Sequence, residues 1–309
     1  MSRDWSRFFV ALGAMVRAPD VLIGLQMYDA DPVSGRRQRA AAEALARLPG
    51  VEPLNLQFRR GPAFEFPGLP TAAVLESDSV QATATPGRRR PLTHEVLDVL
   101  WRAAEAAQHR YFAFINADIL VTPEAVAAVD RLDYETYAVS RSEVDNFAMP
   151  APGPMLTAGV DMFVVSTAWW PRHRHRFRAY IVGEGCWDNV YTAIMMVHSR
   201  GIVLNREPLI LHERHPSPWH GATPHGQHNG FLAALDARYF SLWCAYWARL
   251  EAARERGASA AEEELLQREL FVWRRSPWQA LRQLGRSVRA RANHRHLRAG
   301  WPSLPAAVR

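Results

Sequence analysis

Residues 111–125 read YFAFINADILVTPEA. Tyr111 to Ile115 form a continuous apolar run without alternation. Flanked by helical patterns, such a run reads as an inner strand of a parallel sheet, covered on both faces. It ends at Asn116-Ala117-Asp118. Thr122-Pro123-Glu124 then opens a helix, with a hydroxyl cap, a proline at the first helical position and an acid at the positive end. A buried strand therefore stops on a carboxylate, and strand ends are where open α/β sheets bind ligands.

The same reading extends both ways. THEVLDVLWRAAEAA (93–107) sets Val96, Leu97, Leu100, Trp101 and Ala104 on one face and predicts a helix. DVLIGLQMYD (20–29) predicts a first buried strand, SGRRQRAAAEALARL (34–48) a helix and VEPLNLQF (51–58) a second strand. Residues 59–91 are rich in Gly, Pro and Arg and read as a loop, closed by GRRRPL (87–92). TYAVSRSEV (136–144) and VDMFVVS (160–166) read as strands around the loop MPAPGPMLTAG (149–159). GEGCWDNVYTAIMMVHSRG (183–201) reads as a loop and a helix starting near Asp188. IVLNREPLILHERH (202–215) reads as a strand, a turn and an exposed polar segment. Strands alternating with helices predict an α/β fold with a mostly parallel sheet. Beyond about residue 230 the chain turns helical and rich in Trp and Arg, with AAEEELLQRELFVWRR (260–275) amphipathic.

Composition narrows the class. A chain of 309 residues with 48% hydrophobic content buries a core, which excludes global disorder. All 37 basic residues are arginines, so any cationic phosphate contact uses a planar, bidentate fork. The net charge of +6 suits nucleotides, anionic lipid surfaces or nucleic acid without choosing among them. Nucleic acid is disfavoured: no recognition module stands out and the arginines are dispersed. Two cysteines, Cys186 and Cys244, exclude a disulfide framework and a CxxC metal motif, which points to a reducing cytoplasm. FFVALGAMV (8–16) is too short to span a bilayer and lacks a cleavage site, so no signal peptide is expected.

The segment RRRPLTHEVLDVLWRAAEAAQHRYFAFINADI (88–119) resembles bacterial glycosyltransferases of the GT-A type, in which an apolar strand ends in an N-x-D variant of the DxD motif. Downstream, TAGVDMFVV (157–165) resembles their acceptor loop and strand, GEGCWDN (183–189) the segment supplying the catalytic base of inverting members, and LILHERH (209–215) the strand whose histidine completes the metal site. The resemblance covers roughly residues 20–230. It implies a GT-A, Rossmann-like catalytic domain over 1–230 and a helical extension over 231–309. The departure is Asn116 in place of the first aspartate.

The resemblance implies a metal-dependent, hexosyltransferase-like enzyme that moves a sugar from a nucleotide-diphosphate donor to a hydroxyl acceptor in polysaccharide or glycolipid synthesis. Mn²⁺ or Mg²⁺ would sit on Asp118 and His212. Gln26, Arg90, Asn116 and Ala117 would meet the donor, and Arg88 and Arg89 could join Arg90 on phosphate. Asp188 would be the general base, with Glu184 next. Gly159, Asp161, Trp187 and His215 would meet acceptor or sugar. Each has a plainer reading. Asp118 could cap a turn, Asp188 could cap its helix, the arginine triplet could be a solvated loop, and Trp243, Trp247, Trp273 and Trp278 could be core. The histidines of HERHPSPWHGATPHGQHNG (212–230) could form a separate zinc site, but their spacings are irregular. A metal-dependent hydrolase or nucleotidyltransferase, and a non-catalytic glycan- or membrane-binding protein, are the competing readings. The basic end GRSVRARANHRHLRAG (285–300) could lie on the inner membrane face, where a lipid-linked acceptor resides.

Overall fold

The computed structural model describes residues 20–215 and 223–271. The 8–16 stretch, His220, Trp273, Trp278 and the basic end at 285–300 lie outside the described residues.

A seven-stranded sheet forms the centre. Its strands are β1 (Val21–Leu25), β2 (Val51–Phe58), β3 (Thr71–Leu75), β4 (Tyr111–Ile115), β6 (Thr136–Val139), β8 (Met162–Ser166) and β9 (Gly201–Leu204), in the order β3-β2-β1-β4-β8-β6-β9. Strand β8 runs antiparallel to both neighbours, and all other pairs are parallel. A small second sheet joins β5 (Ile119–Val121), β10 (Ile210–Glu213) and β7 (Ser142–Val144) in the order β5-β10-β7.

The unbroken apolar run at β4 has a packing cause. Phe112 and Phe114 enter the core on one face of the sheet, while Tyr111, Ala113 and Ile115 enter the core on the other. Helix α3 (Thr93–Ala106) covers the first face, and α1 (Pro32–Ala46) and α4 (Pro123–Leu132) cover the second. Gly24 lets α3 approach closely, since a Cβ there would fall 2.2 Å from Leu100 Cδ2. Helix α4 begins as its sequence predicts, with Thr122 Oγ1 accepting from Ala125 N and Pro123 in the first turn.

Three expectations shift. Residues 136–144 are not one strand, because the chain leaves the main sheet after Val139 and its next strand, β7, pairs with β10. Helix α1 starts at Pro32, ahead of Ser34, because Asp31 Oδ1 accepts from Val33 N and Ser34 N, both at 3.0 Å. The 59–91 segment is not all loop. It holds edge strand β3 and α2 (Ser79–Thr83), whose start is a capping box between Asp78 and Gln81.

After α5 (Trp170–His173) comes α6 (Trp187–His198), followed by α7 (Pro224–Leu235), α8 (Ala237–Glu255) and α9 (Ala260–Phe271). Helix α7 runs through residue 230 unbroken. Phe231, Trp243, Tyr246 and Phe271 share one core with Phe163 and α6. Trp243 is core, while Trp247 is exposed and donates to Thr157. Among the described residues no helix is long and apolar enough to cross a membrane. The fold class read from the sequence is therefore present: a mostly parallel α/β sheet flanked by helices, with further helices at the C-terminal side.

Candidate active site

The site grows from the end of β4. After Ile115 the chain turns through Asn116-Ala117-Asp118 into β5, which pairs with β10 so that Ile119 faces His212. That pairing brings Asp118 Oδ2 to 3.6 Å from His212 Nε2 and 3.5 Å from His215 Nε2. The two imidazole Nε2 atoms are 3.1 Å apart. One ligand atom from each of Asp118, His212 and His215 lies within 4.8 Å of the others. Burial would raise the Asp118 pKa, but the neighbouring His212 and His215 imidazoles outweigh it and hold the carboxylate ionised, well below the usual range. An ionised carboxylate beside two imidazoles fits a divalent cation. The mixed oxygen and nitrogen set suits Mn²⁺ better than Mg²⁺.

A cleft of about 260 Å³ opens over this group. Gln26, Asn116 and Ala117 line it, as do Arg88 and Arg90. Arg88 lies over the Tyr28 ring, 3.3 Å from its centroid. Arg90 Nη1 donates to Gly183 O at 2.8 Å and pairs with Glu184 at 3.2 Å. The arginine triplet thus splits. Arg89 turns away to Asp78 at 2.5 Å and stacks over Phe58. Burial raises the Glu184 pKa against the pull of Arg90.

The second half of the site is a carboxylate network. Asn116 Nδ2 donates to Asp161 Oδ1 at 3.0 Å, and Arg141 Nη1 donates to the same oxygen at 3.1 Å. Asp188 stands next to this pair. Its Oδ2 accepts from Val160 N at 3.2 Å and from Asn189 Nδ2 at 3.4 Å. Burial, and then repulsion from Asp161, push its pKa up to about 7. Asp188 is not the cap of α6. The helix begins at Trp187, after Cys186 in a left-handed conformation with φ +74°. Gly159 borders Asp188, and its carbonyl accepts from Ser140 Oγ at 2.8 Å.

Two sequence-based assignments change. Trp187 offers no open face to a sugar: it is 5% exposed and packs on Phe163 with ring centroids 5.0 Å apart. Its position in the first turn of α6 turns it into the core. His215, expected at the acceptor, stands instead with Asp118 and His212. The remaining described histidines of the 212–230 segment do not form a separate metal group. His228 is buried in α7 with its pKa pushed down to about 4 by burial, and its ring nitrogen meets Ala179 O at 3.4 Å. Arg141 and Glu143 escaped sequence reading because they looked like strand positions. The available signal was two opposite charges two residues apart, hence on one strand face.

No protein-family model and no curated protein matches the chain. Among solved structures it is similar to the mannosyltransferase PcManGT of Pyrobaculum calidifontis in complex with GDP-Man and Mn²⁺, at 12% identity over 91% of this chain and 76% of that one, with a TM-score of 0.40. It is similar to S. aureus TarS, at 12% identity over 88% and 80% of the chains, with a TM-score of 0.44. It is also similar to a glycosyltransferase involved in glycosylation of the major capsid of PBCV-1, at 12% identity over 68% and 99%, with a TM-score of 0.34. At such scores the likeness carries nothing about substrate or mechanism, which rest on the chemistry of the site.

Proposed function

We propose that this chain is a metal-dependent glycosyltransferase of the GT-A type. It moves a sugar from a nucleoside-diphosphate donor to a hydroxyl acceptor, with inversion. One observation carries the reading. A single cleft at the strand ends joins a cation-fitting group, Asp118, His212 and His215, to two arginines, and its lining residues Asn116 and Arg141 bond Asp161, the carboxylate that neighbours Asp188.

Asp118, His212 and His215 would hold Mn²⁺ or Mg²⁺, which when bound neutralises charge developing on the diphosphate leaving group. Arg88 and Arg90 bind phosphate oxygens by bidentate contacts. Glu184 keeps Arg90 in place. Gln26 and Ala117 border the donor, and Asn116 and Asp161 meet sugar hydroxyls. Asp188 takes the proton of the acceptor hydroxyl as that oxygen bonds to the anomeric carbon. The bond from that carbon to the diphosphate oxygen breaks, and its electron pair leaves with the diphosphate. A positioned base of this kind contributes about 10²–10⁴-fold. The acceptor hydroxyl belongs to a glycan or a lipid-linked glycan, and an anionic lipid carrier would meet the net positive charge of the chain.

The test is a thermal-shift screen of nucleoside diphosphates with and without Mn²⁺. One nucleotide should stabilise the chain only with metal, by about 2.7 kcal/mol at a hundredfold excess over Kd. Asp118→Ala should lose that shift while keeping its circular dichroism spectrum. Full turnover of nucleotide sugars by Asp118→Ala would overturn the reading. Donor hydrolysis without transfer to any acceptor would replace it with a hydrolase.

A further inference from the structure

The parallel β7–β10 register sets Glu143 opposite His212. Residues opposite one another in a ladder share a face. Glu143 Oε2 lies 3.3 Å from His212 Nδ1. The other ring nitrogen of His212, Nε2, faces His215 at 3.1 Å and Asp118 at 3.6 Å. A neutral imidazole carries one proton. A carboxylate at Nδ1 draws the proton there and leaves the Nε2 lone pair facing Asp118 and His215.

Glu143 is itself held on several sides. Arg141, immediately ahead of β7, donates from Nε to Glu143 Oε1 at 2.8 Å and from Nη1 to Asp161 Oδ1 at 3.1 Å. The β7 backbone is pinned by the 153–155 segment. Gly153 N donates to Glu143 O at 2.9 Å, Glu143 N donates to Pro154 O at 3.1 Å, and Ser142 Oγ donates to Gly153 O at 2.9 Å. A Cβ at Gly153 would fall 2.5 Å from Glu143 O, so only glycine permits this approach.

We infer that Glu143 is a positioning residue that fixes His212 as its Nδ1–H tautomer, and that Arg141 ties this end of the site to the Asp161–Asn116 end. Its consequence for cation binding rests on the ligand role proposed for Asp118, His212 and His215. The tautomer itself requires no cation.

The full chain would be prepared as wild type, Glu143→Leu, Glu143→Gln and His212→Ala, the last to assign the ring signals. Long-range proton–nitrogen correlation spectra in metal-free, mildly alkaline buffer read the tautomer. Wild type and Glu143→Gln, whose amide oxygen still accepts, should hold the Nδ1–H form. Glu143→Leu should relax toward the Nε2–H form. Calorimetric Mn²⁺ titration should show about 10–100-fold weaker binding for Glu143→Leu, with Glu143→Gln near wild type. Should Glu143→Leu not fold, Glu143→Ala gives the same readouts. An unchanged His212 tautomer in the Leu or Ala variant, or Mn²⁺ affinity equal to wild type, overturns the inference. Absence of Mn²⁺ binding in the wild type would sink the metal reading instead, while the spectra still decide the role of Glu143.

Discussion

Asn116 donates from Nδ2 to Asp161 Oδ1 at 3.0 Å, beside the guanidinium of Arg141 on the same oxygen. This contact gives a local reason for an asparagine at position 116. A carboxylate at 116 would press against Asp161, which already repels Asp188. Asn116→Ala should cost about 0.5–1.5 kcal/mol, the worth of one hydrogen bond. Asn116→Asp should cost more, because it adds like-charge repulsion. Urea denaturation in chelator-treated buffer ranks the two, and an aspartate tolerated as well as alanine would refute the account.

Asp188 makes a prediction with a definite sign. Its pKa is about 7 in the folded chain, raised by burial and then by Asp161. The unfolded value is about 3.9. Between those values the unfolded chain has lost a proton that the folded chain keeps, so stability falls as pH rises and the cost is complete above the folded pKa. The neighbours are Val160 N and Asp161 ahead of β8, and Asn189 and Cys186 around the start of α6. Asp188→Asn removes the charge while keeping an acceptor for Val160. Its melting temperature should exceed that of wild type above pH about 7 and converge with it near pH 4. Transfer should drop about 10²–10⁴-fold. Wild-type kcat/KM should rise with pH to a plateau, with a midpoint of about 7. A melting gap that ignores pH would remove Asp188 from this role.

His215 tests the extent of the cation group. His215→Ala should weaken Mn²⁺ binding at least tenfold, about 1.4 kcal/mol, and Asp118→Ala should abolish it. His228→Ala, on α7 and outside the group, should leave Mn²⁺ affinity unchanged while lowering stability, since that ring is fully buried. Calorimetry separates the three. Equal Mn²⁺ binding by His215→Ala and wild type would return His215 to the acceptor side.

What the sequence disclosed follows from which signals are local. Strand β4, helix α3 and the Thr122 cap were readable, because burial on two faces, a 3.6-residue period and capping chemistry leave marks within a few residues. Asp118 was visible as a strand-end carboxylate for the same reason. Strand β5 was missed because three residues have no period to read, and edge strand β3, as long as β4, because it sits within a Gly- and Pro-rich segment and is only partly buried. Trp187 misled because residue type suggested a sugar platform, while the turn at Cys186 rotates it into the core. The roles of Arg141, Glu143 and His215 depend on the β7–β10 and β5–β10 registers, which are long-range facts.

Gly153 and Gly230 should respond to the same substitution with opposite signs. A Cβ at Gly153 would meet the Glu143 carbonyl at 2.5 Å, and a backbone atom held in a ladder cannot swing aside. Gly153→Ala should cost about 1–3 kcal/mol, as overpacking does. Gly230 lies inside α7 with nothing within 4 Å of its added Cβ. Gly230→Ala should stabilise by about 0.5–1 kcal/mol through helix propensity and reduced chain entropy. The midpoint of urea unfolding checks both directions. Because Gly153 bears on the strand that carries Glu143, Gly153→Ala should also weaken Mn²⁺ binding, whereas Gly230→Ala should not. Lost stability with unchanged Mn²⁺ affinity at Gly153→Ala would mean that β7 can shift without moving Glu143 from His212.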